Sequence, residues 1–151
     1  MAEYSANAAQ VVNPGEAILF TDAPVPCTKG FVRHRDGSGN FLLSGAIQNG
    51  FRRPCCCAKQ AVEYLVGFGA NISIPTGGTP GPISVAIAID GSTEPETTMT
   101  VTPAAVEEPF NVSRSTNVPI WFGCCETVTI RNISDQAITV SNANVTFVRQ
   151  G

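Results

Sequence analysis

The sequence predicts a single all-β domain, residues 1–151, folded as an antiparallel sandwich of eight to ten strands. Three observations lead there. Apolar residues recur at every second position in most of the apolar runs, the period of a half-buried strand. Those runs are short and are separated by turn residues, in keeping with 14 Gly and 11 Pro in 151 residues. Charged residues make up only 14% of the chain, too few for the polar faces of a helical bundle.

The longest alternating run is Ala61–Pro75, AVEYLVGFGANISIP. Val62, Tyr64, Val66, Phe68, Ala70, Ile72 and Ile74 share one face, and small or polar residues fill the other. Helical spacing over Ala58, Ala61, Val62, Leu65 and Val66 competes across the first half. Gly67 and Gly69 are poor helix formers and favour a long central strand, with a bulge at the glycines.

The remaining elements follow in chain order. Residues 1–10 read as a possible N-terminal arm. Gln10–Val12 and Ala17–Thr21 are short apolar runs split by the turn Asn13-Pro14-Gly15. Pro24 and Pro26 make 22–29 a loop or bent edge. Phe31–Arg35 and Phe41–Gly45 form a hairpin about Asp36–Asn40. A polar, basic stretch, Gln48–Pro54, leads into Cys55-Cys56-Cys57. Beyond the central strand, Thr76–Pro82 is a loop, and Ile83–Ile89 is a strand paired with Thr97–Val101 through Asp90-Gly91-Ser92. Pro109 and Pro119 predict a broken or edge region over 106–122. Glu126–Asn132, Ile138 with Val140, and Asn142–Arg149 close the chain, with Ala143, Val145 and Phe147 facing inward.

The net charge of −3 argues against nucleic-acid binding, which calls for a basic face. No run reaches membrane-span length, and MAEYSANAAQ lacks the apolar core of a signal peptide. Synthesis in a cytoplasm is therefore expected, with assembly into a virion as the place of action. The scarcity of charge also predicts that part of the surface is covered by copies of the chain or by a partner.

Two stretches carry a resemblance. GPISVAIAIDGSTEPETTMTVTP and ETVTIRNISDQAITVSNANVTFVRQG resemble the C-terminal jelly roll of the TNF/C1q-like superfamily, in its bacterial and phage forms. Such domains include the heads of spore-surface collagen-like glycoproteins and phage head-fibre or decoration proteins. The resemblance implies a compact homotrimer whose inner sheets meet around a threefold axis. By that analogy Ala17–Thr21 is a first inner strand and Val62–Ile74 the long central one, and Tyr64, Phe68, Phe110 and Phe147 are candidate interface residues, with ordinary intramolecular core as the competing reading. The Gly-X-Y stalk frequent in such proteins is absent here.

Six cysteines stand out: Cys27, the cluster Cys55, Cys56, Cys57, and the pair Cys124, Cys125. None has zinc-type Cys-x-x-Cys spacing. Buried thiols, disulfides and a soft-metal site compete, and a disulfide from 55–57 to Cys124 or Cys125 is expected. One of Cys124 and Cys125 should face inward.

Catalysis finds little support. His34 is the only histidine, and Asp90, Glu107, Glu108 and Asp135 are scattered. No cofactor or metal is expected. Two functions remain: a structural virion protein docked on a major capsid protein, or an adhesin head at a phage tip or a bacterial or spore surface. The adhesin would bind a glycan or a protein through loops such as Gly77–Pro82 and Asp36–Asn40. Asn111, Asn132 and Asn144 head Asn-x-Ser/Thr triplets, read as turn or surface residues.

Overall fold

The computed structural model describes residues 1–46 and 61–150. The predicted stretch Gln48–Pro54 and Cys55, Cys56 and Cys57 lie outside the described residues. Among the described residues twelve strands occur in order: β1 (Ala2–Ala6), β2 (Gln10–Val12), β3 (Asp22–Val25), β4 (Val32–His34), β5 (Phe41–Ser44), β6 (Ala61–Ser73), β7 (Ile83–Ile89), β8 (Ser92–Thr93), β9 (Met99–Val101), β10 (Phe110–Trp121), β11 (Cys125–Asn132) and β12 (Ile138–Gln150). One sheet runs β10-β6-β12-β1-β3, with β2 also on β12; the other runs β4-β5-β11-β7-β8, with β9 on β7. Every strand pair is antiparallel.

The alternation of β6 does what its spacing predicts. Val62, Tyr64, Val66, Phe68, Ala70 and Ile72 are buried, and the residues between them are half-buried or exposed. On β12, Ile138, Val140, Ala143, Val145 and Phe147 join them. The second sheet answers with Phe41, Leu43, Ile83, Val85, Ile87, Val128 and Ile130. An aromatic cluster closes one part of the core: Phe41 lies 4.9 Å from Phe147, 5.0 Å from Tyr4 and 5.3 Å from Phe20 between ring centroids. Tilted and edge-on geometries of this kind suit the ring quadrupoles.

Four expectations need correction. Residues 1–10 are no arm: β1 is hydrogen-bonded between β12 and β3, and Ala2, Tyr4 and Ala6 are core. Their alternation is short and rich in alanine, a weak strand signal. Ala17–Thr21 is not a strand. Ile18 N–H donates to Ile130 O (2.8 Å) and Phe20 N–H to Ser38 O (3.0 Å), so the segment changes partner and no ladder propagates. The Gln10 amide caps Leu19 between them, accepting from its N–H and donating to its carbonyl, both at 2.9 Å. The region about Pro109 and Pro119 is not broken: β10 is continuous over twelve residues. It is an edge, as predicted, so the missing proline N–H leaves the β6 ladder intact. The bulge is not at Gly67 and Gly69. It lies on β12 between Ser141 and Asn144, where Asn142 takes φ +49°.

Candidate interaction surface

The register of the first sheet fixes what its outer face presents. Row by row across β10, β6 and β12, the outward residues are Trp121 and Ala61; Pro119, Glu63 and Gln150; Asn117, Leu65 and Val148; Ser115, Gly67 and Thr146; Ser113, Gly69 and Asn144; Asn111, Asn71 and Ser141. Glu3 and Ser5 of β1 extend the rows of Thr146 and Asn144. In these rows the only charged side chains are Glu3 and Glu63, and Glu3 accepts a hydrogen bond from the Asn144 amide. Arg114 belongs to the opposite face of β10, where its guanidinium donates to Glu96 O at 2.8 Å. Leu65 and Val148, paired in register, form a small apolar patch.

Across the middle of this face the two glycines leave the backbone bare. The result is a trough of about 610 Å³ lined by Gly67, Gly69, Ser113, Ser115, Asn144 and Thr146 among others. A Cβ on Gly67 would come within 2.8 Å of Thr146 Oγ1, so a side chain there would crowd that wall of the trough. Its walls are mostly hydroxyl and amide groups, with Phe68 and the charged Arg114 also at its lining. The hydroxyls and amides offer hydrogen bonds at little desolvation cost, the chemistry of a surface that takes another protein closely.

The predicted interface aromatics lie elsewhere. Tyr64 (0% exposed), Phe68 (3%) and Phe147 (1%) point between the sheets of one chain, and Phe110 is half-buried. The competing reading, intramolecular core, describes the first three. The register explains it: alternation gives the large residues to the inside, so the outward face of the same strands is the small-residue face. Tyr64 also has a polar role, its hydroxyl donating to Ser44 O at 2.6 Å and lying 3.3 Å from Phe31 O. Burial pushes its phenol above the ordinary range, against the lowering influence of Arg149.

Cys124 and Cys125 are both exposed, against the expectation that one would face inward, because Cys124 sits in the tight turn before β11. Cys27 is half-buried and free. Its sulfur accepts from Val32 N–H at 3.4 Å. Burial opposes its ionisation, but the N–H groups of Val32, Lys29, Phe31 and Gly30 outweigh that and hold the thiol below its usual range. His34 is stacked on Phe41 at 4.3 Å, with its ring nitrogens 3.1 Å from Asn40 O and Phe20 O. It ties three segments together and is only half-buried. Among the described residues no group of three His, Cys, Asp or Glu could hold a metal ion. Of the Asn-x-Ser/Thr triplets, Asn111 is exposed, Asn144 is bound to Glu3, and Asn132 is fully buried. Sequence reasoning missed Asn132, whose amide donates to Val12 O and Gln136 O, both at 2.9 Å, while its oxygen accepts from Ser134 N–H at 2.8 Å.

The sheet orders and the long β6–β12–β10 face invite comparison with solved structures. The globular domain of zebrafish complement C1qA aligns with 99% of this chain and 98% of its own, at TM-score 0.52 and 12% identity. The fold is a C1q-like jelly roll. β1, from the N-terminus, lies beside β12, from the C-terminus. Two enzymes also align: an isomalto-dextranase of Arthrobacter globiformis T6 complexed with panose (TM-score 0.37, 14% identity, 95% of this chain, 22% of the enzyme), and the Clostridium thermocellum xylanase 10B modules complexed with xylohexaose (TM-score 0.32, 10% identity, 99% of this chain, 26% of the enzyme). Both scores fall below 0.5 and say nothing of this chain's chemistry. No family model matches the sequence, and no curated protein matches it.

Proposed function

We propose that this C1q-like jelly roll is a non-enzymatic structural subunit that works as a homotrimer on a virion, as a phage capsid decoration or head-fibre protein of the bacterial and phage type. The observation that carries the trimer is the outer face of the first sheet. Across its five strands the charged side chains are Glu3, Glu63 and Asp22, and its middle is built from small and polar residues. Thirteen residues of β6 at about 3.3 Å each, across five strands about 4.8 Å apart, make a face of roughly 40 by 20 Å. That is close to the ~800 Å² per partner of a standard stable interface. Sheet-to-sheet contact through Leu65, Val148 and the glycine trough gives a rigid oligomer, and the opposite sheet and the loops remain to grip a major capsid protein.

The test of self-association is native mass spectrometry of the chain and of Leu65→Lys. A trimer that falls to monomer in the variant supports the proposal; a wild-type monomer refutes it. Membership of a particle is read separately, by stoichiometric co-purification with phage heads, and free protein alone would rule it out.

One observation favours a second reading, a recognition head. The Gly77–Pro82 loop is braced by Gln136, whose amide accepts from Thr79 N–H (3.1 Å) and donates to Thr79 O (2.8 Å). With Asp135 it borders a cleft of about 420 Å³ at one end of the sandwich. Binding of the isolated protein to a glycan array would favour this reading over the decoration role.

A further inference from the structure

At one edge of the sandwich, where the two sheets meet, a cavity of about 560 Å³ opens between three segments. β2 makes one wall, residues 15–19 a second and the Ser38–Asn40 turn a third, and Arg131 reaches in from β11. β2 belongs to the first sheet through β12. Residues 15–19 run along the second: Gly15 N–H donates to Asn132 O and Ile18 N–H to Ile130 O, both at 2.8 Å. The walls are pinned to one another. Gln10 brackets the backbone of Leu19, Phe20 N–H donates to Ser38 O at 3.0 Å, and Gly37 N–H donates to Phe20 O at 2.9 Å. Gly39 packs so closely that a Cβ there would lie 2.7 Å from both Ala17 Cβ and Ile18 O. A cavity with walls held this way is shaped before any ligand arrives, and its volume suits a small molecule.

Its lining carries one charge of each sign, Glu16 and Arg131, and neither has an ion pair among the described residues. Arg131 donates from Nε to Thr129 Oγ1 and from Nη1 to Gly15 O, both at 3.1 Å. A guanidinium has five N–H donors, so Arg131 keeps donors for an anion, and a carboxylate is the group its planar fork fits. Glu16 Oε2 accepts from the Asn13 N–H at 3.3 Å and from the Asn13 amide at 3.2 Å, which leaves Oε1 to meet a cation. Beside these charges Val11 is 61% exposed and Leu19 46%, two large apolar side chains on the lining of one cavity. Ser38, also on the lining, keeps a buried hydroxyl with no hydrogen-bond partner in the protein. A group of that kind calls for an acceptor or donor from outside the chain.

We propose that this seam cavity binds a small apolar zwitterion, an α-amino acid or the equivalent short peptide. The ligand carboxylate pairs with Arg131, its ammonium pairs with Glu16, and its apolar side chain covers Val11 and Leu19. One ligand class thereby answers all three features. A purely anionic ligand meets repulsion from Glu16, a purely cationic one meets repulsion from Arg131, and a neutral one leaves both charges without a counterpart. The site stands apart from the trimer and virion readings, because Leu65, Val148 and the glycine trough are not on its lining.

The test titrates the full, isotope-labelled chain with L-leucine, L-leucyl-L-leucine, isocaproate and isoamylamine, and follows backbone amide shifts by NMR. The expected result is saturable shifts at Gly15, Leu19, Ser38 and Asn40 with a zwitterion. The two single-charge analogues should bind roughly tenfold more weakly, since each lacks one charge-assisted bond. Tighter binding of L-leucine assigns the site to free amino acids, and tighter binding of the dipeptide assigns it to peptides. Glu16→Gln keeps an acceptor for Asn13 and removes the charge, so it should weaken the zwitterion about tenfold and leave isocaproate no weaker. Leu19→Ser, at an exposed position, should weaken all four probes. Absence of saturable shifts with either zwitterion at millimolar concentration would overturn the proposal. So would isocaproate or isoamylamine binding as tightly as L-leucine. Native mass of the same samples reads the trimer separately, so either proposal can fail without the other.

Discussion

Glu126 shows how a single side chain sets a pH dependence. Burial, then the neighbouring Asp90 and Glu94, raises its carboxyl above the usual range. A group raised in the folded state contributes stability in full below its unfolded pKa, and that contribution is lost as pH rises through the folded pKa. From Glu126 alone, stability should therefore decline as pH climbs above ordinary glutamate titration. Glu126→Gln should be more stable than wild type at neutral pH, with a flatter decline. Urea melts at several pH values measure this, and a less stable variant at pH 7 would count against it. Tyr64 and Asn132 are polar groups of the interior. Tyr64→Phe removes the hydroxyl that donates to Ser44 O, while Phe31 O keeps the Ser44 N–H, and should cost about 1–3 kcal/mol. Asn132→Leu strands the Val12 and Gln136 carbonyls and the Ser134 N–H, and should cost more than Tyr64→Phe in the same denaturant assay. Neither role was legible in the sequence. An Asn in an Asn-Ile-Ser triplet reads as a surface turn, and only its bond to the distant Val12 O, added to those with Gln136 O and Ser134 N–H of its own turn, makes it a buried clamp.

At the scale of elements, the period-two signal carried far. β6, β7, β11 and the inward half of β12 were legible because each buries one face, and a one-residue slip would turn that face outward. β1 and the 17–20 segment were misread for opposite reasons. β1 is a strand with little apolar bulk, while Ile18 and Phe20 are apolar yet bonded to different partners. The face chosen for contact between copies was also misread. Large residues mark the inside of a strand, so the proposed interaction surface lies among Gly67, Gly69, Ser113 and Thr146, which carry no sequence signal of their own. Phe68→Ala should cost about 3–5 kcal/mol in chemical denaturation, since its ring is 3% exposed between the sheets. The same change should leave the association state untouched, whereas Leu65→Lys should alter association with little effect on the stability of the monomer.

For the whole molecule, the low charge that first marked the sequence resolves into a location. Charge is nearly absent from the outer face of the first sheet, while charged residues occur elsewhere, as in the Asp90, Glu94 and Glu126 group. A face of that size and composition, left in water, invites association. Trimer formation through it is the central claim, and the measurement that meets it most directly is the native mass of the 15.8 kDa chain at micromolar concentration under reducing conditions. Three times the chain mass is the expected result, and a stable single-chain mass would contradict it.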